Sequence, residues 1–277
     1  MLLTGVRGKT GRPLADLLLA RRDVEVLGGS STPSKVDIDG VRPTAFSWDD
    51  PSGWPEAVDG IDATYVVRPD RADAPELIAA LLAELSPEVR VVLLSEQDAD
   101  YVGTEGWAPR AERAVRESGH AWTILRPSWF MQVFTDARFY RDLIADDGEL
   151  PFSSGGASVA WIDAQDIAAV ADLALVEAGH TGQVYELSGP EALSLPRTAE
   201  LLSGAAGHLV AHREITVDEA VEGTVDFERE LSVLTFERVR AGCFAVVTDA
   251  VQRLTGRPPR TLQAFLDDSR STLTTGS

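Results

Sequence analysis

Apolar residues come in short runs, separated by stretches where they recur three and four positions apart. This alternation predicts strands and helices in turn. The first run predicts a strand over residues 2–6, and the pattern that follows predicts a helix over 11–22 with Pro13 in its first turn. Val24–Leu27 reads as a second strand ending in Gly28-Gly29-Ser30-Ser31, and residues 43–47 as a third before Trp48-Asp49-Asp50. Ala63–Val67, Arg90–Ser95 and Trp122–Leu125 are further strands, with helices over Pro75–Leu85 and 109–118 between them. Strands alternating with helices give βαβ units, right-handed crossovers and a parallel sheet. The fold class is α/β, doubly wound, with its site at the carboxyl ends of the strands.

Beyond residue 128 the alternation loosens. Trp129–Ile144 reads as an amphipathic helix, 145–158 as a Gly- and Ser-rich loop, and Val159–Asp163 as a short strand. Asp166 reads as the cap of a helix running to Val176, and Gln183–Leu187 as another strand. From Pro196 the rest is mostly helical, with a helix to Ser203 and a short strand near His208–Ile215. Without a repeat or a low-complexity linker, the expectation is a core over 1–150. A smaller C-terminal part over 151–277 belongs to the same body and completes the sheet and the substrate cleft.

The chemistry begins in the first turn. Gly5-Val6-Arg7-Gly8-Lys9-Thr10-Gly11 follows the first strand and opens the first helix. Gly5 lets the strand turn, Gly8 lets backbone approach a pyrophosphate, and Gly11 lets the helix pack close to the sheet. The helix N-terminus then offers N–H groups and the positive end of its dipole to the anion. An ordinary glycine-rich turn is the alternative.

Composition narrows the partners. The net charge of -19 repels nucleic-acid phosphate and anionic lipid. No run approaches the roughly 18 apolar residues of a membrane span. The chain begins directly with a strand, so no signal peptide is expected and the location is cytoplasmic. Cys243 is the single cysteine, placed in an apolar helical stretch and read as core. His120, His180, His208 and His212 show no metal-ligand spacing, so no metal is expected. The partners expected are a small-molecule substrate and, at most, a second copy of the chain: a monomer or a homodimer.

Only two lysines occur, Lys9 inside the glycine loop and Lys35 just after the second strand. An NAD site places Asp or Glu at the end of that strand to hold the ribose hydroxyls. Here Asp23 and Glu25 come too early, and Ser30, Ser31 and Lys35 follow the strand. Hydroxyls and a cation suit a 2′-phosphate, with Arg7 as a second cation, so NADP(H) is the cofactor expected. A plain Ser/Thr/Pro turn is the alternative.

Several segments together resemble the NmrA-like branch of the atypical short-chain dehydrogenases. They are the Gly5–Gly11 loop, Val92-Leu93-Leu94-Ser95, Ser118–Pro127 and Val159–Ala168. Within the branch, Leu3–Thr10 resembles the ergot-alkaloid-pathway reductases and their bacterial relatives. The resemblance implies a Rossmann core, NADP(H), and reduction of iminium or conjugated imine groups in secondary metabolism. The branch also holds quinone reductases, isoflavone-type reductases and non-catalytic redox sensors.

The departures are informative. None of Tyr65, Tyr101, Tyr140 or Tyr185 has a lysine four residues on, so the Tyr-x-x-x-Lys pair of ordinary members is missing. The lysine of isoflavone-type members is missing near Trp107-Ala108-Pro109 as well. The surviving chemistry is hydride transfer to an acceptor that needs little acid–base help: an iminium, a quinone or an enone. Tyr101 is the candidate proton donor. Arg68 and Ser95, at the ends of the fourth and fifth strands, are candidate cofactor contacts together with Gly5, Arg7, Gly8, Lys9, Thr10 and Gly11. Trp107 (on an expected lid), Ser128, Trp129, Phe130 and Trp161 are candidate substrate contacts. Arg126 reads as a brace for the loop after the sixth strand, and Glu112 as solvent-facing on its helix. A non-catalytic NADP(H)-sensing regulator and a non-redox isomerase or cyclase are the competing functions.

Overall fold

The first strand is shorter than its apolar run. In the computed structural model, which describes residues 1–21 and 23–274, β1 is only Leu2–Leu3. From Thr4 the backbone leaves the sheet for the glycine loop and enters α1 (Gly11–Leu19). Arg22, the expected last residue of that helix, lies outside the described residues. The chain continues through β2 (Leu27–Ser30), β3 (Arg42–Ala45), α2 (Trp54–Val58), β4 (Ala63–Val67) and α3 (Ala74–Ala83). β5 (Arg90–Leu94), α4 (Trp107–Glu117) and β6 (Trp122–Pro127) complete the alternating part. Then come β7 (Glu149–Phe152), β8 (Ser158–Val159), α5 (Ala164–Val176), β9 (Gln183–Leu187), β10 (Leu193–Ser194), α6 (Leu195–Ala206) and β11 (Ala211–Glu214). Helices occupy most of the remainder. None among the described residues is long and apolar enough to cross a membrane.

The main sheet has the order β3-β2-β1-β4-β5-β6-β9. β1 pairs in parallel with both β2 and β4, and the parallel ladder runs on through β5 to β6. This is the doubly wound, Rossmann-type sheet that the alternation predicts. The strand order reverses between β1 and β4, where the glycine loop leaves the sheet. Strands buried on both faces read as near-continuous apolar runs, which is why β4 and β5 are legible in sequence.

The chain forms two compact units: residues 1–127 with 164–186, and residues 128–163 with 187–277. The first buries Leu2, Val66, Ile78, Val91, Leu93 and Ile124 among others. α5 is bound into it by side chains. Arg21 donates to both carboxylate oxygens of Asp172 at 2.9 and 2.6 Å. Arg90 Nη1 donates to the carbonyls of Leu175 and Glu177 at 3.0 and 2.7 Å, satisfying the last turn of that helix. The second unit has its own core, built around Phe134, Phe152, Trp161, Leu202 and Leu266.

Four expectations are corrected. β2 lies three residues later than its apolar run, because Gly28 and Gly29 are strand residues. A Cβ on Gly28 would meet Val41 Cγ1 at 2.6 Å, and one on Gly29 the Leu3 carbonyl at 3.0 Å. The stretch 129–144 is not one helix. Phe130 makes a parallel bridge to Ile162, and Met131 N–H donates to the Ile162 carbonyl, so the backbone there is extended. The expected loop over 145–158 contains β7, which pairs in parallel with β11 and buries Leu150 and Phe152. Asp166 is not the cap of α5, which begins at Ala164; it lies buried in the first turn.

Candidate active site

The glycine loop is held from beneath by the strands on either side of the switch point. Thr4 Oγ1 accepts from the Val67 N–H at 2.9 Å, fixing the end of β1 to the end of β4. Gly8 N–H donates to the Gly5 carbonyl at 2.9 Å, closing the turn. A Cβ on Gly5 would touch the Val67 side chain at 3.0 Å. One on Gly8 would lie 3.1 Å from the Gly5 carbonyl oxygen, and one on Gly11 would collide with that oxygen at 2.0 Å. Gly5, Gly8 and Gly11 thus let the loop close tightly against the end of β4 and the start of α1, and a glycine-rich turn in this place is where doubly wound folds bring backbone close to a dinucleotide diphosphate. α1 begins with neither a side-chain cap nor an acidic residue in its first turn, which leaves its positive end unopposed. Thr10 is buried, and its hydroxyl accepts from Tyr65 Oη at 3.1 Å. Burial pushes the Tyr65 phenol well above the ordinary tyrosine value. Arg7 is exposed and Lys9 half-buried on the loop.

At the neighbouring strand end, Ser30 is the last residue of β2 and its hydroxyl accepts from the Thr32 N–H at 3.1 Å. Ser31 and Lys35 are exposed. Glu25 stands at the opposite end of β2, paired with Arg42 at 3.1 Å. Residues 30–35, which close β2 and follow it, therefore carry hydroxyls and an ammonium group and no carboxylate.

The ends of β4, β5 and β6 carry two ion-pair systems. Arg68 donates to Glu96 at 2.8 Å, and its guanidinium lies 4.0 Å from the centre of the Trp107 ring. Arg68 Nη1 is buried and has no partner among the described residues. Trp107 is the first residue of α4 and donates its indole N–H to the Arg71 carbonyl at 2.8 Å.

Arg126, at the end of β6, donates to both oxygens of Glu112 at 2.8 and 2.6 Å and to both of Asp100 at 2.8 and 3.1 Å. It also reaches Glu186 at 3.2 Å. Burial opposes the Arg126 charge, yet its hydrogen bonds to Glu112 and Asp100 raise its pKa above the ordinary value. The Arg126 hydrogen bond holds the Asp100 carboxyl below the usual carboxylate range, while burial pushes the Glu186 carboxyl up. Ser95 donates its hydroxyl to Glu112 at 2.6 Å and its N–H to the Leu125 carbonyl at 2.7 Å.

The expectation for Glu112 is overturned: it is 0% exposed and is the hub of this network. The helical period held the signal, because Ala108, Ala111 and Val115 form the buried face of α4 and Glu112 falls among them. Asp100 and Glu186 carry no such signal, since they meet Arg126 only through the fold. Tyr101 sits in the 3₁₀ turn Ala99–Val102, 51% exposed.

In the second unit the aromatic candidates part company. Trp161 is 1% exposed, with its indole N–H donated to Thr198 Oγ1 at 3.1 Å, so it belongs to the core and offers no surface to a substrate. Ser128 is buried too, its hydroxyl donated to the Phe244 carbonyl. Trp129 is half-buried between the rings of Phe152, Phe236 and Phe244, with centroids 5.1–5.7 Å away. Phe130 keeps partial exposure.

A backbone cradle at the switch point of a doubly wound sheet defines a dinucleotide-binding protein. Residues 5–177 match the NAD(P)H-binding family, and the chain belongs to it. Over 281 residues and 96% of each chain it is 33% identical to the NAD(P)H azoreductase of Xenophilus azovorans. Over 280 residues and 94% of each chain it is 30% identical to festuclavine synthase II of Penicillium roqueforti. Its fold matches an NADPH-dependent quinone oxidoreductase of Escherichia coli, solved with NADPH, at a TM-score of 0.81 and 20% identity. That match covers 96% of this chain and 98% of the other. The protein is an NAD(P)H-dependent oxidoreductase.

Proposed function

We propose that the protein is an NADPH-preferring reductase of a small electrophile of the iminium or imine, quinone or enone type, working in secondary metabolism. One observation carries the cofactor preference: residues 30–35, which close β2 and follow it, include Ser30, Ser31 and Lys35 and no carboxylate. Hydroxyls and an ammonium group complement a 2′-phosphate, which an NAD-type carboxylate would repel. The names of the relatives, an azoreductase and a festuclavine synthase, support an acceptor that is conjugated or nitrogen-containing.

When bound, the reduced nicotinamide supplies a hydride to the acceptor. An iminium needs no proton to complete its reduction; a quinone or enone needs one. The chain's tasks are then few. Gly5, Gly8 and Gly11 seat the diphosphate, with Arg7, Lys9 and Thr10 around it. Ser30, Ser31 and Lys35 hold the 2′-phosphate, and Arg68 offers its remaining buried donor to the cofactor. Ser95 acts through Glu112 rather than with its own hydroxyl proton. Tyr101 supplies the proton where one is needed, and Trp107 shields the reacting end from water. Phosphate discrimination is tested by titrating NADPH and NADH by fluorescence: equal or reversed affinities remove the role of Ser30, Ser31 and Lys35. Steady NADPH oxidation with a quinone and with a permanently charged iminium tests the reaction.

A further inference from the structure

We infer that Arg126 and Asp100 are positioning residues, which hold the turn carrying Tyr101 at the carboxyl end of β5. The inference rests on the reading of Tyr101 as proton donor. Within the turn, Tyr101 N–H donates to the Asp98 carbonyl and Gly103 N–H to the Asp100 carbonyl, both at 3.0 Å. Such local bonds shape a turn without fixing where it sits. Tyr101 does not fix itself either, since half its surface is exposed. Its place follows from whatever anchors the backbone on either side.

Gln97 N–H ties the segment to the Pro127 carbonyl at 2.9 Å and Ala99 is buried; the two side-chain anchors nearest Tyr101 both lead to Arg126. Asp100, the residue before Tyr101, binds the guanidinium through both carboxylate oxygens. Asp98 adopts the left-handed conformation at φ 52°, uncommon for a residue with a Cβ. Its N–H donates to Glu186 Oε2 at 3.3 Å, and Glu186 Oε1 accepts from Arg126. Arg126 cannot swing away, because Glu112 holds it in a bidentate pair from α4. Ser95 and Arg116 in turn hold Glu112, at 2.6 and 2.8 Å. The chain of contacts runs from a buried helix residue, through a strand end, to an exposed turn.

The last link adds little to stability. The Asp100 side chain is 69% exposed, and Arg126 keeps Glu112 without it. What Asp100 decides is where the Tyr101 backbone lies. Displacement of a reacting group by about 1 Å can cost on the order of a hundred-fold in rate.

The test uses the full chain, with NADPH and the quinone menadione. Asp100→Asn is expected to lower kcat by about ten- to a hundred-fold, with the melting temperature and the NADPH dissociation constant unchanged. Amide exchange over residues 99–103 is expected to accelerate, and Asp100→Glu to recover part of the rate. In a Tyr101→Phe background, Asp100→Asn is expected to change kcat by about two-fold or less, because both changes remove the same contribution. Unchanged exchange over 99–103 overturns the clamp, whatever the rates do. A loosened turn with undiminished kcat, or losses that multiply in the double variant, overturns the positioning of Tyr101. Wild-type protein that oxidises no NADPH with menadione removes the proton-donor reading and the positioning role with it. The exchange measurement distinguishes that failure from failure of the clamp.

Discussion

The carbonyl oxygen of Gly5 lies 2.0 Å from where a Cβ on Gly11 would be, so the first turn of α1 fits against the loop only with glycine at position 11. Gly11→Ala forces backbone against backbone, and overpacking of this kind costs about 1–3 kcal/mol or more. Thermal unfolding should show a fall of several degrees. Gly8 differs, since its Cβ would meet the Gly5 oxygen at 3.1 Å and otherwise project into the cradle. Gly8→Val should melt close to the wild type and bind no NADPH; normal NADPH binding by this variant would make the loop merely structural.

Lys35→Ala should weaken NADPH and leave NADH nearly unchanged. Loss of a hydrogen bond to a charged group costs about 1.5–3 kcal/mol, or roughly ten- to a hundred-fold in affinity. Parallel titrations read the difference directly. Equal weakening of both cofactors would mean that Lys35 acts on something other than the 2′-phosphate.

Trp161→Ala should act on stability. It empties a fully buried site and strands the Thr198 hydroxyl, at a cost of about 3–5 kcal/mol. Activity per folded molecule at low temperature should stay close to that of the wild type. A raised KM in a fully folded Trp161→Ala variant would return Trp161 to the substrate site.

Glu112→Ala should be the most damaging change in the ion-pair network, because it removes the buried partner of Arg126 and the acceptor of Ser95. Breaking a buried pair from one side costs about 3–5 kcal/mol. Chemical denaturation should show it, with Glu112→Gln intermediate.

Acid should release the Tyr101 turn before it unfolds the chain. Asp100 has its folded pKa depressed by Arg126, with Arg116 adding to the effect, so its pairing stabilises above the unfolded carboxylate value. That stability disappears only as pH falls through the depressed folded value, on the acid side of the ordinary aspartate range. Glu186 has the opposite sign: burial raises its pKa, so on acidification it protonates before Asp100 and loosens its hold on Asp98. Protection of the amides over 99–103, taken relative to their intrinsic exchange rate at each pH, should therefore be constant near neutrality and fall on acidification. A fall in protection centred near pH 7 would contradict the assignment.

The fold was legible where burial on both faces leaves a continuous apolar run, as at Ala63–Val67, and at the half-buried edge strand Gln183–Leu187; both are strands over those same residues. It was less legible where glycine does the work of a strand residue. Gly28 and Gly29 carry no strand propensity, and only the approach of Val41 and the Leu3 carbonyl explains them. Residues 129–144 read as a helix because their apolar spacing fits one, yet Phe130 and Met131 pair with Ile162, a partner no local pattern reveals. The glycine cradle was legible because its chemistry is contiguous. The Arg126 cluster was not, since its members come from four separate segments and only Glu112 left a mark, a carboxylate on a buried helical face.

Each unit is sewn from two separate stretches of chain, and this bears on how the molecule is made. A ribosome that has released residues 1–127 has supplied the cradle and six strands, but not α5 or the edge strand β9. Arg21 and Arg90 have emerged by then without Asp172 and without the helix end that they bind. The nascent sheet thus waits with one edge open and two cations unmatched until residues 164–186 arrive. Synthesis that stalls in the interval leaves the β6 edge unpaired, and the sheet is complete only once β9 has followed α5 out.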